Sequence, residues 1–113
     1  MNYSPELLKG TLKPIVLKLL ADNKRMYGYE MTQRVKELTS GKIQLSEGAL
    51  YPILHALEKD NLVTVEIEYI GKRVRKYYKL SPAGKSSTKE KISELLDFVN
   101  TVKLLLDIKT SLA

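Results

Sequence analysis

The sequence has no cysteine, no tryptophan, one histidine and one phenylalanine. Without thiols there are no disulfides, no thiolate nucleophiles and no thiolate metal sites, and one imidazole does not assemble a transition-metal centre. No metal and no cofactor are therefore expected. Acidic residues are also in short supply, 13 against 19 lysines and arginines in 113 residues, which leaves a net charge of +6. Long apolar runs are missing. The richest stretch, PIVLKLLA, is short and interrupted by Lys18, so no membrane-spanning segment is expected. The opening MNYSPELLKG lacks the basic-then-apolar pattern of a secretory signal, and the expected location is cytoplasmic.

The positive charge that is present is unevenly spread. Lys72, Arg73, Arg75, Lys76, Lys79, Lys85, Lys89 and Lys91 fall in one stretch with Glu90 as its one carboxylate. Basic density of this kind suits a polyanion partner, although a solvated surface explains charge runs about as often.

Apolar periodicity places the elements. Ser4-Pro5-Glu6 is a helix start, with serine as cap and proline in the first helical position. Pro14 should kink that helix or restart it with Thr11 as a new cap, and Leu12, Ile15, Val16, Leu19 and Leu20 then carry it to about Asn23. A second helix opens near Tyr29, buries Met31, Val35 and Leu38, and ends around Ser40-Gly41; KIQL after it alternates like a very short strand. A third helix lies within SEGALYPILHALEKDNLV, where Leu50, Ile53, Leu54 and Leu57 share one face. Its other face carries Tyr51, Pro52 and His55, although proline beyond the first turn costs a helix about 3 kcal/mol. The cost shrinks if the regular helix begins only at Gly48 or Ala49.

Val63, Val65, Ile67 and Tyr69 alternate with polar residues, and the alternation resumes beyond Gly71-Lys72, a loop suited to a II′ hairpin turn. This register pairs Val63 with Leu80 and Val65 with Tyr78 on a packed face, and Glu68 with Arg75 and Ile70 with Arg73 on the other. Ser81-Pro82 then opens a last helix. Ile92, Leu95, Val99, Val102 and Leu106 occupy heptad a and d positions, with Phe98, Leu105 and Leu112 as a further stripe. A helix from Pro82 to Leu112 would be roughly 45 Å long at 1.5 Å per residue, more than a body of this size covers. A homodimer through this helix is expected; the single-chain alternative is that it folds back on the first helix.

Three helices, a two-stranded wing and a long C-terminal helix make a mainly α winged helix-turn-helix, divided as residues 1–81 for recognition and 82–113 for dimerisation. In this arrangement the third helix enters the major groove of duplex DNA and the hairpin touches backbone or minor groove. The segments MYGYE, LSEGALYPILHALEKDNLV and GKRVRKYYKLSPAG, spanning about residues 7 to 84, resemble the PadR family of bacterial transcriptional regulators, and the length with one C-terminal helix resembles its small subfamily. The resemblance implies a dimeric repressor of a roughly palindromic operator, released by a small-molecule effector. By position it implies DNA contacts from Ser46, Tyr51, Pro52 and His55 on the third helix and from Lys72, Arg73 and Arg75 in the wing. It also implies an effector pocket at the dimer interface, lined here by Leu95, Phe98 and Val99. Small relatives place a tryptophan in that pore; this chain has none, so stacking there would rest on Phe98.

Plainer readings accompany these. Tyr77 and Tyr78 read as packing, Tyr27 and Tyr29 as anchors of the second helix or phosphate contacts with anchoring favoured for Tyr29, and Glu66 and Glu68 as strand partners, not a catalytic pair. No catalytic constellation appears, so an enzyme is not expected. The alternative to a DNA-binding regulator is a winged-helix module that dimerises and binds another protein. The basic hairpin tip separates the two, because such a module has no need of it.

Overall fold

A computed structural model describes residues 3–107. Ser4 caps a single turn, α1 (Pro5–Leu8), its hydroxyl accepting from the Leu7 amide at 3.3 Å. A 3-10 turn, Lys9–Thr11, leads into α2 (Leu12–Asp22). The restart falls where Pro14 demands it, in the first turn of α2, where its missing N–H has no helical partner to lose. Thr11 precedes α2 without capping it, because its hydroxyl donates back to the Leu8 carbonyl.

Then come β1 (Met26–Tyr27), α3 (Gly28–Leu38), α4 (Glu47–Lys59), β2 (Val63–Ile70), β3 (Arg73–Leu80) and α5 (Pro82–Leu106). The strands form one antiparallel sheet in the order β1-β3-β2. The two-stranded wing is therefore a three-stranded sheet. The third strand is not KIQL, as the alternation suggested: Met26 and Tyr27 pair with Tyr78 and Tyr77 instead. Residues 42–45 form a loop pinned by Thr39, whose hydroxyl donates to the Val35 carbonyl and accepts from the Ile43 amide. Ile43 and Leu45 alternate because both plug the core, not because either joins a strand.

The hairpin has the expected register, Val63 opposite Leu80 through Ile70 opposite Arg73. At its turn Gly71 has φ +63° and Lys72 is not in the left-handed region, as a II′ turn requires. The packed face is shorter than the alternation implied. Val63, Tyr78 and Leu80 are buried, but Ile67, Tyr69 and Val74 are 53%, 77% and 56% exposed, since the strands run past the edge of the core.

That core consists of Leu12, Val16, Leu17, Leu19 and Leu20 of α2, Met31 and Val35 of α3, Leu50, Leu54 and Leu57 of α4, and the inner faces of the strands. Leu38, expected inside, is 62% exposed because it ends α3 beyond the core. Tyr29 is 55% exposed and does not anchor α3; Tyr27, half-buried one step earlier, faces the sheet.

α5 starts as Ser81-Pro82 foretold, the Ser81 hydroxyl accepting from the Gly84 amide at 2.9 Å and donating to the Asn61 carbonyl at 2.7 Å. Its first half lies along α2 of the same chain, with Thr88 buried and Ile92 and Leu95 half-buried. From Leu96 onward the apolar residues Phe98, Val99, Leu104, Leu105 and Leu106 are exposed. The expected continuation to Leu112 lies outside the described residues.

Gly84 sets how close α5 comes to the sheet. A Cβ at this position would overlap the Leu62 carbonyl oxygen, which already accepts from the Ser81 amide at 3.0 Å. Backbone cannot step aside as a side chain can. Gly84→Ala should therefore cost about 3 kcal/mol or more in a urea denaturation; a loss within ~0.5 kcal/mol, ordinary for a surface site, would refute the close approach.

Candidate nucleic-acid interface

Ser46 is the N-cap of α4: its hydroxyl accepts from the Ala49 amide at 3.1 Å while Leu50 turns the opposite side of the helix into the core. With Leu50, Leu54 and Leu57 buried, Tyr51, Pro52 and His55 are left on the outside, Tyr51 36% exposed. The helix begins at Glu47, so Pro52 is well inside it and the first-turn escape does not apply. The Gly48 carbonyl, four residues back, loses its usual helical donor, since Pro52 has no N–H.

Tyr51 crosses to the start of α3. A Cβ on Gly28 would fall 2.7 Å from its hydroxyl, so the glycine makes room for the ring. Gly28 is the middle of the Tyr-Gly-Tyr motif, and its neighbours splay apart around it: Tyr27 toward the sheet, Tyr29 into solvent. The Tyr27 amide donates to the Glu30 carboxylate at 3.2 Å, which fixes the first turn of α3.

On the outer face of the sheet, Tyr27 and Tyr77 meet edge to face with ring centroids 5.5 Å apart. The guanidinium of Arg75 lies 4.1 Å over Tyr27, and that of Arg25 lies 3.9 Å over Tyr77. Arg25 also pairs with Glu68 and reaches Glu66 at 3.9 Å. Glu68 thus stands opposite Arg75 in the register but takes its charge partner from another element. Arg75 is half-buried and oriented by its tyrosine, whereas Arg73 and Lys72 are exposed.

Between the start of α4 and the free edge of β3 runs an open groove of about 640 Å³. Tyr51, Arg73 and Arg75 line it together, joined by Tyr27, Tyr29 and Lys76, with Glu47 as its one carboxylate. Ser46, Pro52 and His55 continue along α4 outside the groove, and Lys72 stands at the tip of the turn. Sequence reasoning weighed a phosphate contact for Tyr29 but favoured an anchor, counted Lys76 only within the basic cluster, and did not single out Arg25. The first two belong to motifs in plain view, but Arg25 meets Glu68 across 43 residues with no local signal.

Of the residues expected to line an effector pocket, Leu95 and Phe98 border a groove of about 470 Å³ with Gly10, Lys13 and Pro14, while Val99 lies outside it. Among the described residues no group of three or more His, Asp or Glu side chains is placed to hold a metal ion, and no helix is long and apolar enough to cross a membrane.

Residues 16–90 match the transcriptional regulator PadR-like family. The chain belongs to that family. A transcriptional regulator of Mycobacterium tuberculosis is 34% identical over 85 residues, covering 75% of this chain and 76% of that one. The solved structure of a PadR-like transcription factor from Bacteroides fragilis superposes with a TM-score of 0.71 at 30% identity, over 88% of this chain and 94% of that one. That of a transcriptional regulator from Clostridium thermocellum gives a TM-score of 0.78 at 25% identity, over 93% and 99%. The PadR fold is thus a winged helix-turn-helix followed by a long C-terminal helix, and the family's members are transcriptional regulators, not enzymes.

The Tyr51–Gly28 contact makes this PadR-family site testable from within. Gly28→Ala should cost about 1–3 kcal/mol by overpacking. In a double-mutant cycle with Tyr51→Ala the combined destabilisation should fall short of the sum of the two; strict additivity would show that the ring does not rest on Gly28.

Proposed function

We propose that the chain binds duplex DNA sequence-specifically as a homodimer and represses transcription until a small-molecule effector releases it. The observation that carries the reading is the groove in which Tyr51 of α4 and Arg73, Arg75 and Lys76 of the wing converge. A phosphate strand passing from α4 toward the wing would meet cations and tyrosyl hydroxyls along its length. Base edges would meet Pro52 and His55, with Ser46 at the head of the helix. Lys72 at the tip would reach the adjacent backbone.

The dimer reading draws support from α5, where Phe98, Val99, Leu104, Leu105 and Leu106 are 48–75% exposed on one chain. An apolar surface of that extent marks an interface. Ile92 and Leu95 already rest in part on α2, so Val99 and Leu106 are its more available members, with half-buried Val102 between them. The groove beside Leu95 and Phe98 supports the effector clause.

A second reading has its own observation: the apolar strip of Ile67, Tyr69 and Val74 on the wing would suit a protein partner. One experiment separates the two. Arg73→Ala with Arg75→Ala should weaken binding to every duplex and lower the salt slope by about 1 for each phosphate no longer neutralised, as measured by fluorescence anisotropy at several salt concentrations. An unchanged slope would remove the wing from DNA and leave the protein partner. Separately, Val99→Asp should convert the dimer to monomer in sedimentation velocity and abolish high-affinity operator binding; an intact dimer would overturn the interface.

A further inference from the structure

A second open cleft plays no part in the proposed duplex contact. It measures about 770 Å³ and lies at the base of the wing, walled by the end of α2 and the residues after it, by β2 and β3, and by the first half of α5. Lys24, Arg25, Lys79, Lys85 and Lys89 face it, against Asp22 and Glu66.

Both carboxylates are already engaged. Asp22 pairs with Lys18 at 3.1 Å, and Glu66 is shared between Lys79 at 3.7 Å and Arg25 at 3.9 Å. Lys24, Lys85 and Lys89 have no carboxylate within 4.0 Å among the described residues. Lys85 and Lys89 sit one helical turn apart, a like-charge spacing that destabilises a helix, and they are near the end of α5 where the dipole is positive. The carboxyl end of α2 supplies about half a negative charge nearby, short of the surplus of three positive charges on the cleft walls. The three lysines are exposed, so water screens their repulsion, but they leave the cleft with a net positive wall that an anion would neutralise.

We infer that this cleft binds a compact, multiply charged anion of the phosphate-ester class. Its volume is within the range of small-molecule sites. It is concave and closed on one side by α5, which suits a compact ligand and not a rod about 20 Å wide such as duplex DNA. No residue lines both this cleft and the groove beside α4, and Lys79 is six residues along β3 from Arg73, roughly 20 Å.

Arg25 connects the two places. It faces the cleft, stacks on Tyr77 and pairs with Glu68, and Tyr77 in turn meets Tyr27, which carries Arg75. An anion that draws the Arg25 guanidinium toward the cleft would alter the support beneath Arg75. This coupling rests on the duplex-binding reading; the site itself does not.

The test titrates the full chain with inorganic pyrophosphate at low ionic strength, by calorimetry and by amide NMR shifts. Saturable binding of one anion per chain is expected, with shifts at Lys24, Lys85, Lys89 and Tyr77. Lys85→Gln with Lys89→Gln should weaken it about tenfold or more, and should leave the free chain at least as heat-stable, because it removes a repulsive pair. Lys36→Gln with Lys42→Gln, an equal reduction of charge elsewhere, should leave pyrophosphate affinity unchanged. Non-saturable binding, or equal weakening in both variants, would overturn the site. So would a drop in the salt slope of duplex binding in the Lys85/Lys89 variant, which would assign those lysines to the DNA backbone. Saturable pyrophosphate binding in a chain indifferent to duplex DNA would instead defeat the functional reading and leave the site standing.

Discussion

The stack on the outer face of the sheet, Glu68–Arg25–Tyr77–Tyr27–Arg75, is the interaction on which the geometry of the site depends. The hairpin outruns the core, so apolar packing holds its base and little beyond it. What fixes the outer half is β1, which pairs with β3 over two residues, and the side chains laid across that junction. Each cation–π contact at a partly exposed site is worth about 0.5–1 kcal/mol, and each exposed ion pair about 0–1. Singly these are weak. Linked through shared residues, they restrict the wing relative to α3 at the level where Arg75 must be aimed. Because Tyr27 both carries Arg75 and starts α3, wing and helix-turn-helix are positioned by the same residue.

Glycine sets the other two close approaches. Gly28 lets Tyr51 of α4 lie over the start of α3, and Gly84 lets α5 begin against the Leu62 carbonyl. Asn61, at φ +60°, turns the chain between α4 and β2 so that its carbonyl meets the Ser81 hydroxyl. The helices α3 and α4, the wing and α5 are therefore joined at a few close contacts, each of which tolerates little change in side-chain volume.

Much of this was legible in the sequence because the signals are local. The hairpin register followed from alternation on either side of Gly71-Lys72, and Ser4, Ser46 and Ser81 marked their helix starts as caps do. The failures have physical causes. Two residues of β1 are too few to show a period, and KIQL showed one for a different reason, two core plugs in a loop. Ile67, Tyr69, Val74 and Leu38 kept the apolar pattern after the core had ended, and pattern does not report where a neighbour stops. Tyr27 and Tyr29 flank one glycine, and only the pairing of Tyr27 with Tyr77 decides which lies against the sheet. Arg25 could not be found at all, since its carboxylates lie on a strand some 40 residues away.

The costs in this fold are not scattered. Pro52 removes a helical hydrogen bond, Tyr69 and Val74 expose apolar surface, α5 carries leucines into solvent, and Lys24, Lys85 and Lys89 crowd like charges into a cleft. All of them lie on outward surfaces while the core beneath is regular and fully satisfied, with no buried side-chain polar atom lacking a partner among the described residues. Local penalties of that distribution persist where another molecule offsets them. Under the proposed function, a duplex would offset those on α4 and a second protomer those on α5. Neither of these proposed partners would reach the lysines at the wing's base, which line a cleft of their own.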